Sequence, residues 1–267
     1  MRGADLWIDG APATVDDLSR QALVNYGAYT AFAVVRGRVR GLDRHLARLG
    51  ASGLELFDQA LDENVLRARI GEALGDRGDA LVRVSLFSRD ISARRPDFCG
   101  PPNVMVAVFP PASPLATGPV RLDLQSYARE LAHLKHVATF GLVRARRQAL
   151  ARGFDDALFV DPQGRISEGS LWNIGFLRSG TVVWPEAPML AGISQALIRE
   201  HLADVGLKQE TRIVTPDDLS GFDGAFITSS TTPACAVCTI AAQEFSTDPD
   251  VVRRVAEAWA LAEPQPV

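Results

Sequence analysis

Only two lysines occur among the 28 basic residues of this chain, Lys135 and Lys208, which leaves 28 − 2 = 26 arginines. Arginine cannot be deprotonated in a protein, whereas lysine can lose its proton and attack a carbonyl. A chain that uses arginine almost wherever a cation will serve marks its lysines as candidates for chemistry. Lys208 lies in the polar run Leu207-Lys208-Gln209-Glu210 and reads as a surface residue. Lys135, in Leu134-Lys135-His136, reads as a nucleophile.

Other residues fit a partner for such a lysine. Glu168, in Arg165-Ile166-Ser167-Glu168-Gly169-Ser170, falls between two apolar strands, where a carboxylate can be a turn residue or a buried acceptor for a protonated ring nitrogen. The run Thr228-Ser229-Ser230-Thr231-Thr232-Pro233 follows a strand and offers hydroxyls and amides to an anion. Gly192-Ile193-Ser194 opens a helix, with Ser194 as expected N-cap, and the first amides of a helix lack internal partners and attract negative charge. Arg48 lies on a helix, off its Leu42/Leu46/Leu49 stripe, and His45 lies nearer that stripe, as a packed histidine would. Singly, each is an ordinary surface, turn or core residue. Together they supply a lysine nucleophile, a carboxylate, an arginine and two phosphate cradles, the set that pyridoxal 5'-phosphate requires.

Other chemistries are less well served. Cys235 and Cys238 form a CxxC pair without a second pair or neighbouring histidines, and their apolar flanks read as a buried strand rather than a zinc site. The histidines, His45, His133, His136 and His201, show no ligand spacing on one helix face. A net charge of −4 argues against nucleic-acid or anionic-membrane partners. Neither a signal-peptide core nor a membrane-spanning apolar run is visible, and three cysteines are too few for a disulfide framework, so the expected compartment is the reduced cytoplasm.

The elements that must position these residues follow from apolar periodicity. Strands are expected at 5–9, 28–35, 80–87 and 103–109, with helices at about 42–53 and 62–74. The Pro-rich segment 111–119 is the expected linker between a small α/β domain, 1–110, and a larger one, 120–267. In the second, strands are expected at 120–126, 156–160, 165–167, 172–177, 181–184, 210–214, 224–228 and 235–240, with helices at about 140–152, 194–205 and 249–262.

The order of the motifs resembles the fold-type IV pyridoxal phosphate enzymes, which include branched-chain and D-amino acid aminotransferases and aminodeoxychorismate lyases. The segments that carry the resemblance are Leu42-Asp43-Arg44-His45-Leu46-Ala47-Arg48-Leu49, Leu134-Lys135-His136 and Gly153-Phe154-Asp155-Asp156-Ala157. They continue with Ser167-Glu168-Gly169-Ser170-Leu171-Trp172-Asn173, Leu190-Ala191-Gly192-Ile193-Ser194 and Thr228–Thr232. The resemblance implies a small N-terminal α/β domain, a larger α/β domain with a pseudo-barrel, and a homodimer. It implies that Lys135 holds the cofactor as a Schiff base and moves the substrate proton, and that Glu168 pairs with the pyridine nitrogen. Arg48, the amides of Ile193 and Ser194, and Thr231 would hold the phosphate. Leu190 would pack on the ring, and Asn173 would brace the Glu168 turn. Tyr29, Thr30, Arg95 and Thr232 are candidate substrate contacts, with Arg94 beside them.

Two positions depart from the family pattern. Thr30 stands where aminotransferases of the family often carry glutamate, a feature closer to the lyases. Phe140 stands where some members have a tyrosine that hydrogen-bonds the cofactor's phenolic oxygen, with Thr139 before it. The reading is a class IV aminotransferase acting on small amino and keto acids. The alternative is a lyase of the 4-amino-4-deoxychorismate type that releases pyruvate, and a third reading is a cofactor-binding protein without turnover.

Overall fold

In the computed structural model, which describes residues 3–111, 113–114 and 116–267, the chain forms two α/β units. One comprises Met1–Ser113, Leu134–Ala138 and Pro264–Val267, and the other Pro114–His133 and Thr139–Glu263. The expected linker, 111–119, includes Ala112 and Leu115, which lie outside the described residues. The sequence places Lys135 in a second domain spanning 120–267, yet its segment groups with the first unit, as does the C-terminus.

The first unit contains β1 (Asp5–Ile8), β2 (Ala11–Pro12), α1 (Val15–Leu23), β3 (Ala28–Val34), β4 (Arg38–Arg40), α2 (Leu42–Phe57), α3 (Glu63–Leu74), β5 (Ala80–Phe87) and β6 (Asn103–Phe109). Five strands form an antiparallel sheet in the order β2-β1-β6-β5-β3. Alternation along β3 sends Phe32 and Val34 into a core with Leu42, Leu46 and Leu49 of α2 and Leu66 and Ile70 of α3. Each such side chain contributes roughly 1.5–3 kcal/mol by leaving water. Because β3 is the last strand of the sheet, its outer edge is open to another segment. Leu134–Ala138 takes that edge: the Tyr29 amide donates to the Lys135 carbonyl at 2.8 Å, and the Val137 amide to the Gly27 carbonyl at 2.9 Å. This pairing is why the lysine segment belongs to the first unit. Just before β3, Gly27 sits at φ +154°, and a Cβ there would lie 2.1 Å from the Leu86 carbonyl oxygen.

The second unit contains β7 (Val120–Ser126), α4 (Phe140–Ala151), β8 (Asp156–Val160), β9 (Ile166–Gly169), β10 (Asn173–Arg178), β11 (Thr181–Pro185), α5 (Ile193–His201), β12 (Lys208–Arg212), β13 (Gly224–Ser229), β14 (Thr232–Ile240), β15 (Gln243–Glu244) and α6 (Pro249–Leu261). The path β10-β13-β14-β7-β8-β9 closes on itself because β9 also pairs with β10, giving a six-stranded barrel. Strands β11 and β12 extend the sheet from β10. Val120, Leu122, Leu158, Ile166, Ile174 and Phe176 belong to the core of this unit, while Trp184, Ile198, Leu202 and Val255 form a second cluster under α5 and α6. A final strand, β16 (Pro264–Pro266), pairs with β4 in the first unit.

Candidate active site

In the first unit, the register of β3 against β5 sets Tyr29 opposite Ser85 and Ala31 opposite Arg83, so Tyr29, Ser85 and Arg83 share one face of the sheet. The Arg83 guanidinium lies 3.8 Å from the Tyr29 ring centroid, and Lys135 Nζ lies 5.0 Å from it. Burial pushes the Arg83 guanidinium below its ordinary pKa. The opposite face carries Thr30, fully buried, whose hydroxyl is 2.6 Å from His45 Nδ1 and accepts from Arg48 Nη2 at 2.6 Å. Burial, and then the charges of Arg48 and Lys135, hold His45 well below the usual imidazole range. Thus Lys135, Tyr29, Thr30, Arg48, His45 and Arg83 are gathered by four pieces of chain: β3, β5, the first half of α2, and the strand-like segment on the β3 edge. Arg94 and Arg95 are exposed in a tight turn in which the Ser92 and Arg95 backbones bond each other. Arg83, not Arg95, is the arginine against Tyr29. Sequence reasoning missed it because an arginine in an apolar strand has no motif; its signal is a charge in the run Ala80–Phe87, which is otherwise apolar save for Ser85.

In the second unit, Asn173 joins three elements. It opens β10 opposite Glu168 of β9 and opposite Thr228 of β13, and its side-chain amide donates to the Leu190 carbonyl at 3.0 Å. Glu168, Asn173, Leu190, Ile193, Ser194, Thr228 and Thr232 are all buried, and Thr231 is half-buried at the hairpin tip. The turn from β9 to β10 is held by Asp156, which accepts from the Ser170 hydroxyl at 2.8 Å and from Trp172 Nε1 at 2.9 Å. Gly169 leaves room for the Trp172 indole, which would lie 2.2 Å from a Cβ at that position. The N-cap of α5 is Gly192 rather than Ser194; Ile193 and Ser194 are its first two residues. Their amides therefore belong to the open first turn, beside a residue that can carry no side chain: a Cβ on Gly192 would fall 1.9 Å from Asn173 Oδ1.

Thr228 Oγ1 and Ser229 Oγ, at the end of β13, are buried and have no hydrogen-bond partner among the described residues. Buried polar atoms are nearly always paired, so an orphaned hydroxyl such as that of Thr228 points to a hydrogen-bonding ligand. A phosphate supplies acceptor oxygens, and the cradle fits one.

At the start of α4, Phe140 is 80% exposed and Thr139 makes no side-chain capping bond. The hydroxyl that occupies this region is that of Tyr127, which packs edge-on against Phe159 and would lie 2.3 Å from a Cβ on Gly141. Burial raises its pKa, Arg129 lowers it and Glu168 raises it further. Cys235 is buried and Cys238 half-buried on β14, with their thiols directed at the backbone carbonyls of Gly118 and Val120. Lys208 is exposed on β12.

Residues 27–240 match the family described as amino-transferase class IV. The chain belongs to the class IV aminotransferases. Such enzymes use pyridoxal 5'-phosphate, which is the cofactor of this aminotransferase. Among its relatives, a Rickettsia felis protein assigned as a branched-chain-amino-acid aminotransferase is 25% identical over 207 residues, covering 73% of this chain and 70% of that protein. A Methanocaldococcus jannaschii protein assigned to the same activity is 25% identical over 236 residues, covering 84% and 82%. The T.th. branched-chain amino acid aminotransferase, solved with pyridoxamine 5'-phosphate, superposes with a TM-score of 0.86 at 22% identity, covering 97% of this aminotransferase and 94% of that chain. A Legionella pneumophila protein assigned as a 4-amino-4-deoxychorismate lyase superposes with a TM-score of 0.79 at 20% identity, covering 95% and 96%. The fold is thus common to both activities, and the side chains must discriminate between them. Among the described residues no helix is long and apolar enough to cross a membrane.

Proposed function

We propose that this aminotransferase moves an amino group between an α-amino acid and a 2-oxo acid through a Schiff base on Lys135. The observation that carries the reading is the Lys135 amine above the Tyr29 ring, with the Arg83 guanidinium on the same ring. When bound, the cofactor supplies an aldehyde that condenses with amines and a ring that accepts the electron pair released at the substrate Cα.

Each side chain then has a task set by its chemistry. Lys135 would hold the cofactor and is the base that would move the proton at the substrate Cα. Glu168, a buried carboxylate, holds the proton on the pyridine nitrogen. Asn173 keeps Glu168 and the Leu190 loop in register, and Leu190 packs on the ring. Arg48, the Ile193 and Ser194 amides, Thr228 and Thr231 would hold the phosphate. Tyr127 supplies the hydrogen bond to the phenolic oxygen that Phe140 cannot make. Arg83, against the Tyr29 ring, receives the substrate carboxylate; Thr232 of the second unit is a further candidate substrate contact, and the exposed Arg95 is the weaker candidate. Thr30 is buried, with its hydroxyl 2.6 Å from His45 Nδ1 and accepting from Arg48, so it is engaged away from a leaving group, and this favours transamination over elimination. The exposed apolar residues Phe140, Val143 and Leu150 on α4 support a homodimer. Small-molecule amino and keto acid substrates fit a cytoplasmic location.

The test is a single-turnover donor screen, beginning with branched aliphatic amino acids because of the named relatives. An amino donor alone should bleach the cofactor's visible band, and a 2-oxo acid should restore it. Steady pyruvate release from aminodeoxychorismate without bleaching by any amino acid would establish the lyase instead.

A further inference from the structure

Thr30, His45 and Arg48 contact one another in the first unit. Thr30 Oγ1 lies 2.6 Å from His45 Nδ1 and 2.6 Å from Arg48 Nη2, which is itself 3.5 Å from His45 Nδ1. Thr30 is 0% exposed and His45 1%. Arginine nitrogens donate only, so the Thr30 oxygen accepts from Arg48. The direction of the bond to His45 then decides what Thr30 can do. A proton on Nδ1 would be directed at an oxygen that already accepts from a cation, and would face the nearby Arg48 donor as well. A bare Nδ1 avoids both conflicts, accepts the Thr30 proton, and leaves the imidazole proton on Nε2. The depressed imidazole pKa is consistent with a neutral ring.

We propose that His45 is a positioning residue: by accepting the Thr30 hydroxyl proton at Nδ1, it turns a Thr30 lone pair onto Arg48 and so fixes the guanidinium for the cofactor phosphate. The inference rests on the assignment of Arg48 to that phosphate. It also defines Thr30 as a link in a binding network. The one proton of its hydroxyl is held by a buried ring and is not delivered to substrate, whatever the residue suggests in the sequence.

The test compares the binding of pyridoxal 5'-phosphate with that of pyridoxal, which lacks the phosphate, to the full chain by equilibrium dialysis. His45→Leu should raise the dissociation constant for pyridoxal 5'-phosphate by about tenfold, the scale of one hydrogen bond to a charged group, and leave that for pyridoxal unchanged. His45→Asn, whose amide oxygen can take the place of Nδ1, should restore most of the affinity. Thr30→Val should reproduce the loss, and His45→Leu should add nothing to it. Arg48→Ala is the reference and should lose the phosphate discrimination. If the reference keeps it, the phosphate assignment of Arg48 is wrong. If the reference behaves as stated but His45→Leu weakens both ligands equally, or its effect adds to that of Thr30→Val, the positioning role of His45 is overturned.

Discussion

Asn173 Oδ1 occupies the space that a Cβ on Gly192 would need, 1.9 Å from where that carbon would stand, while the Asn173 amide donates to the Leu190 carbonyl at 3.0 Å. One residue thus fixes the approach to α5 through its side chain and the position of Glu168 through its backbone strand pairing.

This contact predicts a coupled pair of substitutions. Gly192→Ala should destabilise the protein by about 1–3 kcal/mol, the usual cost of forcing an extra carbon into a packed site, and should weaken cofactor binding. Adding Asn173→Ala opens the space, so the double variant should lose less than the sum of the singles. Chemical denaturation of the four proteins measures the coupling; strict additivity would remove Asn173 as the obstacle.

The orphaned hydroxyl of Thr228 gives a prediction with opposite signs in two measurements. Thr228→Val removes a buried polar atom that has no partner among the described residues, so stability without cofactor should be unchanged or higher. Affinity for pyridoxal 5'-phosphate should fall. Loss of stability together with unchanged affinity would place the phosphate elsewhere.

How much of this was legible in the sequence depends on the kind of signal. Strands β5, β6, β7 and β8 begin and end where apolar patterning places them, at 80–87, 103–109, 120–126 and 156–160. Lys135 stands out as a candidate in the sequence because the chain is so poor in lysine. Helix α1 is not among the expected elements, although the Thr14–Asp17 capping box marks its start and Val15, Leu18, Ala22 and Leu23 recur at helical spacing; that stripe is exposed and Asp17 is the helix's only buried residue, so it packs into no core. Strand β12 begins at Lys208, inside a run read as polar surface, because it is an exposed edge. The attachment of Leu134–Ala138 to the first unit rests on backbone bonds to β3, which no side-chain pattern encodes. Arg83 and Tyr127 acquire meaning only from register and packing.

The buried His45 makes stability depend on pH. Its folded-state pKa lies well below the ordinary 6.5, with the charges of Arg48 and Lys135 opposing protonation alongside burial. The unfolded chain therefore binds a proton first as pH falls. The contribution of His45 is complete above 6.5 and is lost progressively below it, at up to about 1.4 kcal/mol per pH unit. Denaturant titrations from neutral pH downward should show a shallower decline in His45→Asn than in the wild type. Parallel curves would mean that His45 titrates normally in the folded protein.

Glu168→Gln tests the carboxylate on the pyridine nitrogen. A neutral amide cannot hold that proton as a carboxylate does, so turnover should fall by on the order of tenfold or more while cofactor affinity changes little. Wild-type turnover in this variant would remove Glu168 from the role.

The most direct measurement of the whole account is to treat the cofactor-loaded enzyme with borohydride, digest it, and locate the reduced adduct by mass spectrometry. With only Lys135 and Lys208 in the chain, the outcomes are few. The adduct should lie on Lys135 and disappear in Lys135→Ala, with Lys208→Ala labelled as the wild type is. An adduct on Lys208, or cofactor retained with no lysine adduct, would contradict an aminotransferase working through Lys135.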